Sequence, residues 1–583
     1  MELFEEIYTA LDSTPIPDVK FVEEFFDKLS PELKVKILTQ TSKDKHLTLG
    51  LLAISKGLLD IFQLLISIGK EIEIDVLIQV DGDIQRKGKA IHYACWNGHI
   101  DIVKWLFKIN PSILTLRDII ENTPILYATY GGHLELIKYL RSQGCQFTLN
   151  LKRHSAIIQA ACGGHQHIIE WLIQQGHSIN ERDDTGNTAL LFASWGGHLS
   201  AVKWLLENGS QINETSDTGH DVLLSAANSG KIEVIEWLIK EKHINLQICN
   251  SNGDTSLLLA AFGGYCELLE WLIDNEYSSF NEKNMDGLNS FLSACNGGSI
   301  KMVKLLIEKY NCSIKIATDA QYTPLILAAC GGHLELVKFL VLNKYSDINE
   351  ITTDNDSSLL LSCYCGHIEV AKWLLDNGAS INQCNTTGLT PMISAANGGH
   401  GNVCEMLIEY GSNIEEKDNE GYTPVLLAAR RNFIETVKIL ASYGSNFKEI
   451  TNVGNNIYFL TEDPLLSEWI RNNYDRTPVE ISVHIHRPDI AKKHLYNGAQ
   501  LNLVHFKNLI PTIKHKETKD FICRAIKPWC PARHNLFGFR MRKLAETIVK
   551  LQYQLQYCDH LPFLPAEIWE IIIGMNDRNI ELN

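Results

Sequence analysis

The stretch YTPLILAACGGHLELVKFLVLNKYSDIN, residues 322–349, decides the fold of this chain. Thr323 and Pro324 predict the start of a first helix, because proline at the first helical position lacks only an N–H that would have no partner anyway. Gly331 and Gly332 predict its end, since glycine adopts the left-handed backbone conformation without a Cβ penalty. Leucine and valine at helical spacing then predict a second helix. A helical hairpin this short cannot bury both faces alone, so it needs neighbours of its own kind.

The same unit recurs along the chain at intervals of 32 to 34 residues. The residue after the closing glycine of each copy marks the register and is called the marker here. A period of this length is typical of stacked repeats and predicts an array of helix pairs. The markers are His99, His133, His165, His198, Lys231, Tyr265, Ser299, His333, His367, His400 and Phe433.

Three copies carry a family resemblance: NTPILYATYGGHLELIKYLRSQG from Asn122, NTALLFASWGGHLSAVKWLLENGSQIN from Asn187 and GYTPVLLAARRNFIETVKILASYG from Gly421. They resemble ankyrin repeats, whose pattern is T-P-L-H-x-A-A-x-x-G-H, an apolar helix and then G-A-x-I-N. The likeness covers residues 44–475, although the first-helix histidine of the family is usually leucine or isoleucine here. It implies an all-α ankyrin-repeat solenoid of about 12–13 helix-turn-helix repeats, joined by fingers that resemble β-hairpins. Thr-Pro is kept at Thr123, Thr323, Thr390 and Thr423.

Three regions are expected along the chain. Residues 1–43 predict an N-terminal helical cap, because a terminal repeat must cover an apolar face that has no neighbour. Residues 44–475 form the repeat array. Residues 476–583 predict a C-terminal helical domain, since no further copy appears and the net charge changes from −21 before residue 478 to +5 after it. The apolar run 47–69 is long enough to span a bilayer, but it fits the helix, glycine and helix of a degenerate first repeat.

Composition excludes several classes of function. The net charge of −16 argues against general nucleic-acid binding. The first residues, MELFEEIYTALDS, are acidic where a secretory signal would be basic, so we expect a cytoplasmic protein without membrane insertion. We also expect a monomer. The fifteen cysteines predict buried thiols and not a disulfide framework, because Cys95, Cys295 and Cys363 occupy a site where other repeats have alanine.

An aromatic stripe is the first candidate for function. Five aromatic residues stand three positions before the marker, which in the ankyrin family is the end of the first helix on the concave face. Exposed aromatic side chains concentrate binding energy. The resemblance therefore implies a binding surface for a target protein, although contact between neighbouring repeats would also account for some of these rings. The five residues are Trp96, Tyr130, Trp195, Phe262 and Tyr364.

Tryptophans of the second helix and the marker histidines have simpler interpretations. Trp105, Trp171, Trp204, Trp237, Trp271 and Trp373 stand at the place of a core leucine and predict packing. The ankyrin resemblance implies that the histidines tie helix and loop together by hydrogen bonds. They are a whole repeat apart, so we expect no shared metal ion.

The last helical stretch, LPAEIWEII, is similar to the opening of an F-box, L-P-x-E-I-W-x-x-I. That module holds the Skp linker subunit of a cullin–RING ligase, and a truncated copy after ankyrin repeats resembles the PRANC arrangement of poxvirus proteins. Proline begins the helix, glutamate suits its first turn, and apolar residues form a ridge. The alternative is a terminal amphipathic helix that only packs on the tail. The residues concerned are Leu564, Pro565, Glu567, Ile568, Trp569 and Ile572.

No P-loop, dinucleotide turn, G-x-S-x-G elbow or H-E-x-x-H occurs, so no enzyme, cofactor or metal is expected. Cys523, Cys530, His534 and Cys558 lack the paired spacing of a zinc site. We therefore expect an interaction protein whose array binds a target while its tail recruits a Skp–cullin ligase. The alternatives are a scaffold or inhibitor whose tail only caps the array, and a thiol or zinc enzyme in the tail.

Overall fold

The computed structural model describes residues 2–12, 18–40, 48–71 and 90–474, and scattered positions from 476 to 490. Within these residues the regular structure is helical, and β-structure is confined to isolated bridges such as Arg182–Thr188. The prediction of an all-α repeat fold is confirmed. The chain divides into two compact units: Met1–Ala294 with Lys301–Leu306, and Cys295–Ile300 with the described residues from Ile307 onward.

Helices of the first unit come in pairs after an initial group of three, with a short 3-10 helix at Pro111–Thr115. They are α1 (Glu2–Asp12), α2 (Val19–Asp27), α3 (Pro31–Thr39), α4 (Leu49–Ser55), α5 (Leu59–Glu71), α6 (Ala90–Trp96), α7 (Ile100–Ile109), α8 (Pro124–Gly131), α9 (Leu134–Ser142), α10 (Ala156–Cys162), α11 (Gln166–Gln174), α12 (Ala189–Gly196), α13 (Leu199–Glu207), α14 (Val222–Ala227), α15 (Ile232–Lys242), α16 (Ser256–Gly263) and α17 (Cys266–Asp274).

One pair lies where the chain divides, α18 (Ser290–Gly297) and α19 (Ile300–Glu308). The second unit continues the pairing. Its helices are α20 (Pro324–Cys330), α21 (Leu334–Leu342), α22 (Ser358–Tyr364), α23 (Ile368–Asp376), α24 (Pro391–Asn397), α25 (Gly401–Glu409), α26 (Pro424–Arg430), α27 (Ile434–Ser442), α28 (Ile457–Leu460) and α29 (Pro464–Asn473).

Capping explains where the first helices begin. The Thr323 hydroxyl accepts a hydrogen bond from the Ile326 N–H at 3.3 Å, and Pro324 takes the first helical position. Thr188 caps α12 in the same way, accepting from the Leu191 N–H. A side-chain acceptor at this place satisfies one of the backbone donors that a helix start leaves without a partner. The predicted Thr-Pro helix start is therefore confirmed in α20.

The glycine pair ends the helix differently from the prediction. Gly332 is left-handed, with φ +77°, but Gly331 keeps right-handed helical geometry, with φ −79°. Gly331 is needed for space instead: an added Cβ would lie 2.5 Å from Nε2 of His333 and 3.0 Å from the Asn296 carbonyl oxygen. The prediction that both glycines supply left-handed backbone is wrong for the first of them.

The core of each unit runs along the stacked first helices. In the first unit α6, α8, α10, α12, α14 and α16 pack each on the next, and in the second α20, α22, α24, α26 and α28 do the same. Leucines such as Leu190, Leu223 and Leu325 are fully buried there. Burying one such side chain is worth about 1.5–3 kcal/mol, so a helix of seven residues is stable only between two neighbours.

The ends of the described chain bear on three predictions. Helix α1 packs on α4, while α2 and α3 pack on α5. Helices α4 and α5 are joined at Gly57, so residues 49–69 of the apolar run form a helix pair, as the repeat pattern predicts. None of the helices that the structure describes has the length and apolar content to cross a bilayer. The expected boundaries at 43 and 475 stay predictions.

Turns between pairs form the predicted fingers. The Asp183 carboxylate accepts hydrogen bonds from the N–H groups of Thr185 and Asn187, which folds the finger on itself. Each finger also holds the next one, since the Asp217 N–H donates to the Thr185 carbonyl at 3.0 Å. Such turns leave few backbone groups without a partner and fix the spacing between repeats.

Candidate functional site

The five stripe residues all occupy the last turn of a first helix. Trp96 ends α6, Tyr130 lies in α8, Trp195 in α12, Phe262 in α16 and Tyr364 ends α22. This agrees with the place that the family resemblance implies. The first four belong to the first compact unit and Tyr364 to the second, so they are treated separately.

Four of these rings are open to solvent. The exposed fractions are 39% for Trp96, 51% for Trp195, 47% for Phe262 and 44% for Tyr364. Tyr130 is half-buried, and its ring meets the Trp96 ring edge-on with centroids 6.2 Å apart. Large apolar side chains this exposed bury little surface within the fold, so the aromatic residues contribute little to its stability.

Three of the predicted residues come together in one depression of the surface, which we call the aromatic groove. It has a volume of about 580 Å³, and its aromatic members are Trp96, Tyr130, Trp195 and Tyr265. Phe262 is not one of its lining residues. A depression lined by aromatic rings and a few polar groups is typical of a site that receives an apolar side chain from a partner.

Glycines keep the floor of the groove open. Gly131 and Gly163 line it, and an added Cβ at either would meet the carbonyl oxygen of the residue that ends the preceding first helix, Trp96 or Tyr130. The next glycine, Gly132, adopts φ +89° and lets the chain turn sharply into the second helix. Glycine is therefore needed at these two positions, because the backbones of successive repeats approach each other closely there.

Marker residues fix the backbone that carries the aromatic rings. His133 Nε2 donates to the Trp96 carbonyl at 2.8 Å, and His165 Nε2 donates to the Tyr130 carbonyl at 2.9 Å. Each bond joins one repeat to the preceding one and does not stay within a helix and its own loop. The interpretation implied by the resemblance is thus incomplete, because the histidines also hold neighbouring repeats in register.

Polar residues replace histidine where the marker differs. The Ser229 hydroxyl donates to the Trp195 carbonyl at 2.5 Å, and the Tyr265 hydroxyl donates to the Asn228 carbonyl at 3.3 Å. Every helix end with an aromatic ring in this groove therefore has its carbonyl oxygen bonded. The side chain remains free to face outward while the backbone is held.

The groove carries little fixed charge. Burial lowers the pKa of His165, the bond to the Tyr130 carbonyl opposes this shift, and the neighbouring imidazoles His167, His198 and His133 lower the pKa further. His165 is accordingly neutral at neutral pH. Lys231 is a cationic residue of the lining. An aromatic surface with a single lysine favours binding of an apolar segment over binding of a phosphate-rich ligand.

Sequence reasoning missed Tyr265 as a groove residue. It was assigned only as a marker, and the stacking of repeats brings a marker next to the helix end of the preceding repeat. An aromatic residue at a marker position was the available signal.

The second tryptophan series needs a correction. All six tryptophans are half-buried, whereas the next residue in sequence is the core leucine, as with Leu106, Leu172 and Leu205 at 0–1% exposure. They pack at the margin of the core: Trp105 meets the Phe62 ring edge-on at 5.8 Å, and Lys203 lies over the Trp237 ring. The prediction that the tryptophans occupy the position of a core leucine is therefore wrong, because the core leucine is the next residue in the sequence.

The prediction of buried thiols is confirmed for the three cysteines at the alanine site, whereas Cys249 and Cys384 are exposed. Cys95, Cys295 and Cys363 are fully buried and unbonded, and burial raises the pKa of each thiol. Among the described residues no group of three or more potential metal ligands occurs. The set Cys523, Cys530, His534 and Cys558 and the F-box-like stretch 564–572 lie outside the described residues.

The helix pairs are stacked, their fingers are hydrogen-bonded and the markers link successive repeats. These features define the class of protein, a helical repeat protein with exposed aromatic residues at the ends of its first helices. The family model of ankyrin repeats (three copies) matches residues 50–150, 125–216, 197–284, 260–352, 290–385 and 359–451. The chain belongs to the ankyrin-repeat family. No curated protein matches it. Ankyrin repeats are modules for protein–protein interaction, and that is the function the family assigns at this level.

Proposed function

We propose that this protein binds a partner protein at the aromatic groove, with Trp96, Tyr130, Trp195 and Tyr265 contacting an apolar segment of that partner. The main support is a combination found at Trp195: a ring 51% exposed on a backbone whose carbonyl is bonded to Ser229. A large ring held on a fixed backbone loses little conformational entropy on binding, so more of its contact energy becomes affinity.

Residues Phe262 and Tyr364 extend the proposal beyond the groove. Both lie in the last turn of a first helix and both are about as exposed as Trp195. We propose that Phe262 contacts the same partner, because it lies on the same unit of the chain. Tyr364 is proposed as a contact of the second unit.

Site-specific photo-cross-linking tests this proposal. A benzophenone amino acid replaces Phe262 in the full chain, and in a matched control it replaces Met285, which is 79% exposed in a finger of the same unit. We expect one discrete cross-linked protein from Phe262 and none, or a diffuse background, from Met285. Equal cross-linking from both positions would contradict binding at the ends of the first helices.

We further propose that the chain is a substrate adaptor, in which the stretch LPAEIWEII recruits the Skp linker of a cullin–RING ligase to a target held by the array. The support is the sequence of residues 564–572, whose pattern predicts a helix with proline and glutamate in its first turn and isoleucine and tryptophan on one face. Equal retention of the Skp subunit by wild type and a Leu564→Asp, Trp569→Ala double variant, or retention by neither, would contradict the adaptor.

The alternative is a non-catalytic scaffold or inhibitor whose tail only caps the array. Deleting residues 491–583 distinguishes the two roles, because it keeps the bonds of Arg487 to Glu405 and of Ser482 to Ser442. A cap removed in this way lowers the unfolding temperature of the remaining repeats, whereas an adaptor tail removed in this way leaves that temperature unchanged and abolishes Skp binding.

A further inference from the structure

We infer that Cys330 and Cys365 are a redox-active thiol pair that closes to a disulfide between two neighbouring repeats. Cys330 is the last residue of α20 and Cys365 directly follows α22. Their sulfur atoms lie 3.6 Å apart, although 35 positions separate the residues in sequence. This modification site is independent of the partner-binding groove, and both cysteines belong to the second compact unit.

The architecture of the repeat places these two sulfurs together. Cys365 stands where most copies have the first glycine of the pair, and Cβ atoms added at Gly131, Gly163 or Gly398 would all meet the helix end of the preceding repeat. Side chains at this position therefore extend toward the preceding repeat. Ser229 and Arg431 show the same behaviour, since Arg431 Nε donates to Asn397 Oδ1 at 3.1 Å and the Ser229 hydroxyl donates to the Trp195 carbonyl.

One repeat has a thiol three residues before its marker, and the next repeat has a thiol two residues before its marker. The stacking of the repeats therefore places the two sulfur atoms next to each other. Cys162 has the first of these positions but faces Gly196 in the following repeat, so it lacks the second thiol. The Cys330 backbone is also held, because its carbonyl accepts a hydrogen bond from His367 Nε2 at 2.9 Å. The two helix ends cannot drift apart without breaking that bond.

The distance and surroundings suit closure. A disulfide requires about 2.05 Å between sulfurs, so the pair must approach by about 1.5 Å, which rotation of two side chains supplies. Both residues are half-buried, unlike the fully buried Cys363. The contact between the thiols lowers the pKa of Cys365 and raises that of Cys330, which distinguishes the attacking sulfur from its partner.

A hydroperoxide is the oxidant that we assign to this step. The Cys365 thiolate attacks one peroxide oxygen, the O–O bond breaks, and a sulfenic acid and water form once the leaving oxygen takes a proton. Cys330 sulfur then attacks the sulfenic sulfur, the S–O bond breaks, and the leaving hydroxide takes the Cys330 proton. In total two thiols and one hydrogen peroxide give one disulfide and two waters.

Mass spectrometry of the full chain tests the pair directly. The protein is treated with hydrogen peroxide, alkylated and digested with trypsin without reduction. We expect the peptide 316–338, which holds Cys330, to be linked to the peptide 345–372, and the link to disappear after reduction. Oxidation or loss of alkylation at the exposed Cys384 in the same sample shows that the oxidant has acted.

Variants separate this pair from other cysteines. Cys365→Gly restores the residue that most repeats have at this place, so the variant folds, and the linked peptide should be absent. Cys363→Ala removes the other cysteine of the 345–372 peptide and should leave the link intact. A link that survives Cys365→Gly, or no link in wild type when Cys384 is oxidised, would overturn the inference.

Thermal unfolding is a second test of the disulfide. Closing a loop of this length restricts the unfolded chain, so the oxidised wild type should unfold at a higher temperature than the reduced protein. Oxidation should not raise the unfolding temperature of Cys365→Gly. An equal rise in both proteins would show that another oxidation is responsible.

Discussion

Tyr130 in the first compact unit and Cys330 in the second occupy the same place in their repeats, three residues before a marker histidine. Both carbonyl oxygens accept a hydrogen bond from the next marker, from His165 and His367, at 2.9 Å in each case. Their side chains have nothing in common: one is an aromatic member of a groove and the other is a thiol facing a second thiol. In both units the backbone carbonyl at this position stabilises the fold, whereas the side chain differs and is available for function.

The largest effect that we expect is the loss of stability when a core leucine is truncated, and this loss should be equal in the two units. Leu172 and Leu340 stand seven residues after their markers and are both fully buried. Leu172→Ala and Leu340→Ala should each cost about 3 kcal/mol, because each removes buried methyl groups and leaves a cavity. Urea unfolding of the full chain measures both.

Leu342→Ala is the matched control, since this leucine is 68% exposed and its loss should cost less than about 0.5 kcal/mol. If Leu172→Ala or Leu340→Ala costs as little as Leu342→Ala, that leucine does not belong to the core of its own unit.

Removing the hydrogen bond between a marker histidine and the preceding repeat should have the next largest effect on stability. His165→Ala and His367→Ala each leave a backbone carbonyl without its donor, at about 1–2 kcal/mol. The two losses should be similar, because both histidines bond the same carbonyl of the preceding repeat. Urea midpoints again measure this, and a large loss in only one unit would contradict a shared role for the markers.

Truncating the aromatic ring should have almost no effect on folding. Trp195→Ala is expected to change the free energy of unfolding by less than about 0.5 kcal/mol, since the ring is exposed and Ser229 bonds only the backbone. Circular dichroism and urea unfolding check this. A loss as large as that of Leu172→Ala would assign the ring to the core and remove the main support for the groove.

The smallest effect concerns pH. Because burial lowers the pKa of His165, its imidazole should titrate below the ordinary value of 6.5, and NMR of labelled histidine measures this directly. The folded state then binds fewer protons than the unfolded state, so stability is present above pH 6.5 and falls as the pH drops through the folded pKa. A titration at or above 6.5 would contradict burial of this ring.

Much of this architecture could be predicted from periodicity. Thr323 and Pro324, the glycine pair and the marker recur, so helix pairs and their stacking follow from local signals. The aromatic stripe was also visible, because its members hold one fixed offset from the marker.

Contacts between repeats could not be predicted in the same way. The approach of Tyr265 to the groove and of Cys365 to Cys330 depends on how far one repeat is displaced from the next. Residues 35 or 37 positions apart give no local signal. The position of the six tryptophans failed for a related reason, since a helical pattern places a residue on a side of the helix but does not distinguish the core from its margin.

The dissociation constant of the full chain for a partner captured by the Phe262 cross-linker tests the central claim most directly. It is compared among wild type, Trp195→Ala and Asn397→Ala, where Asn397 holds the Trp195 position in the second unit. We predict that Trp195→Ala weakens binding by about 2 kcal/mol, as for the central aromatic residue of an interface, while Asn397→Ala leaves the constant unchanged. Equal constants for all three proteins would contradict the assignment of the aromatic groove as the binding site.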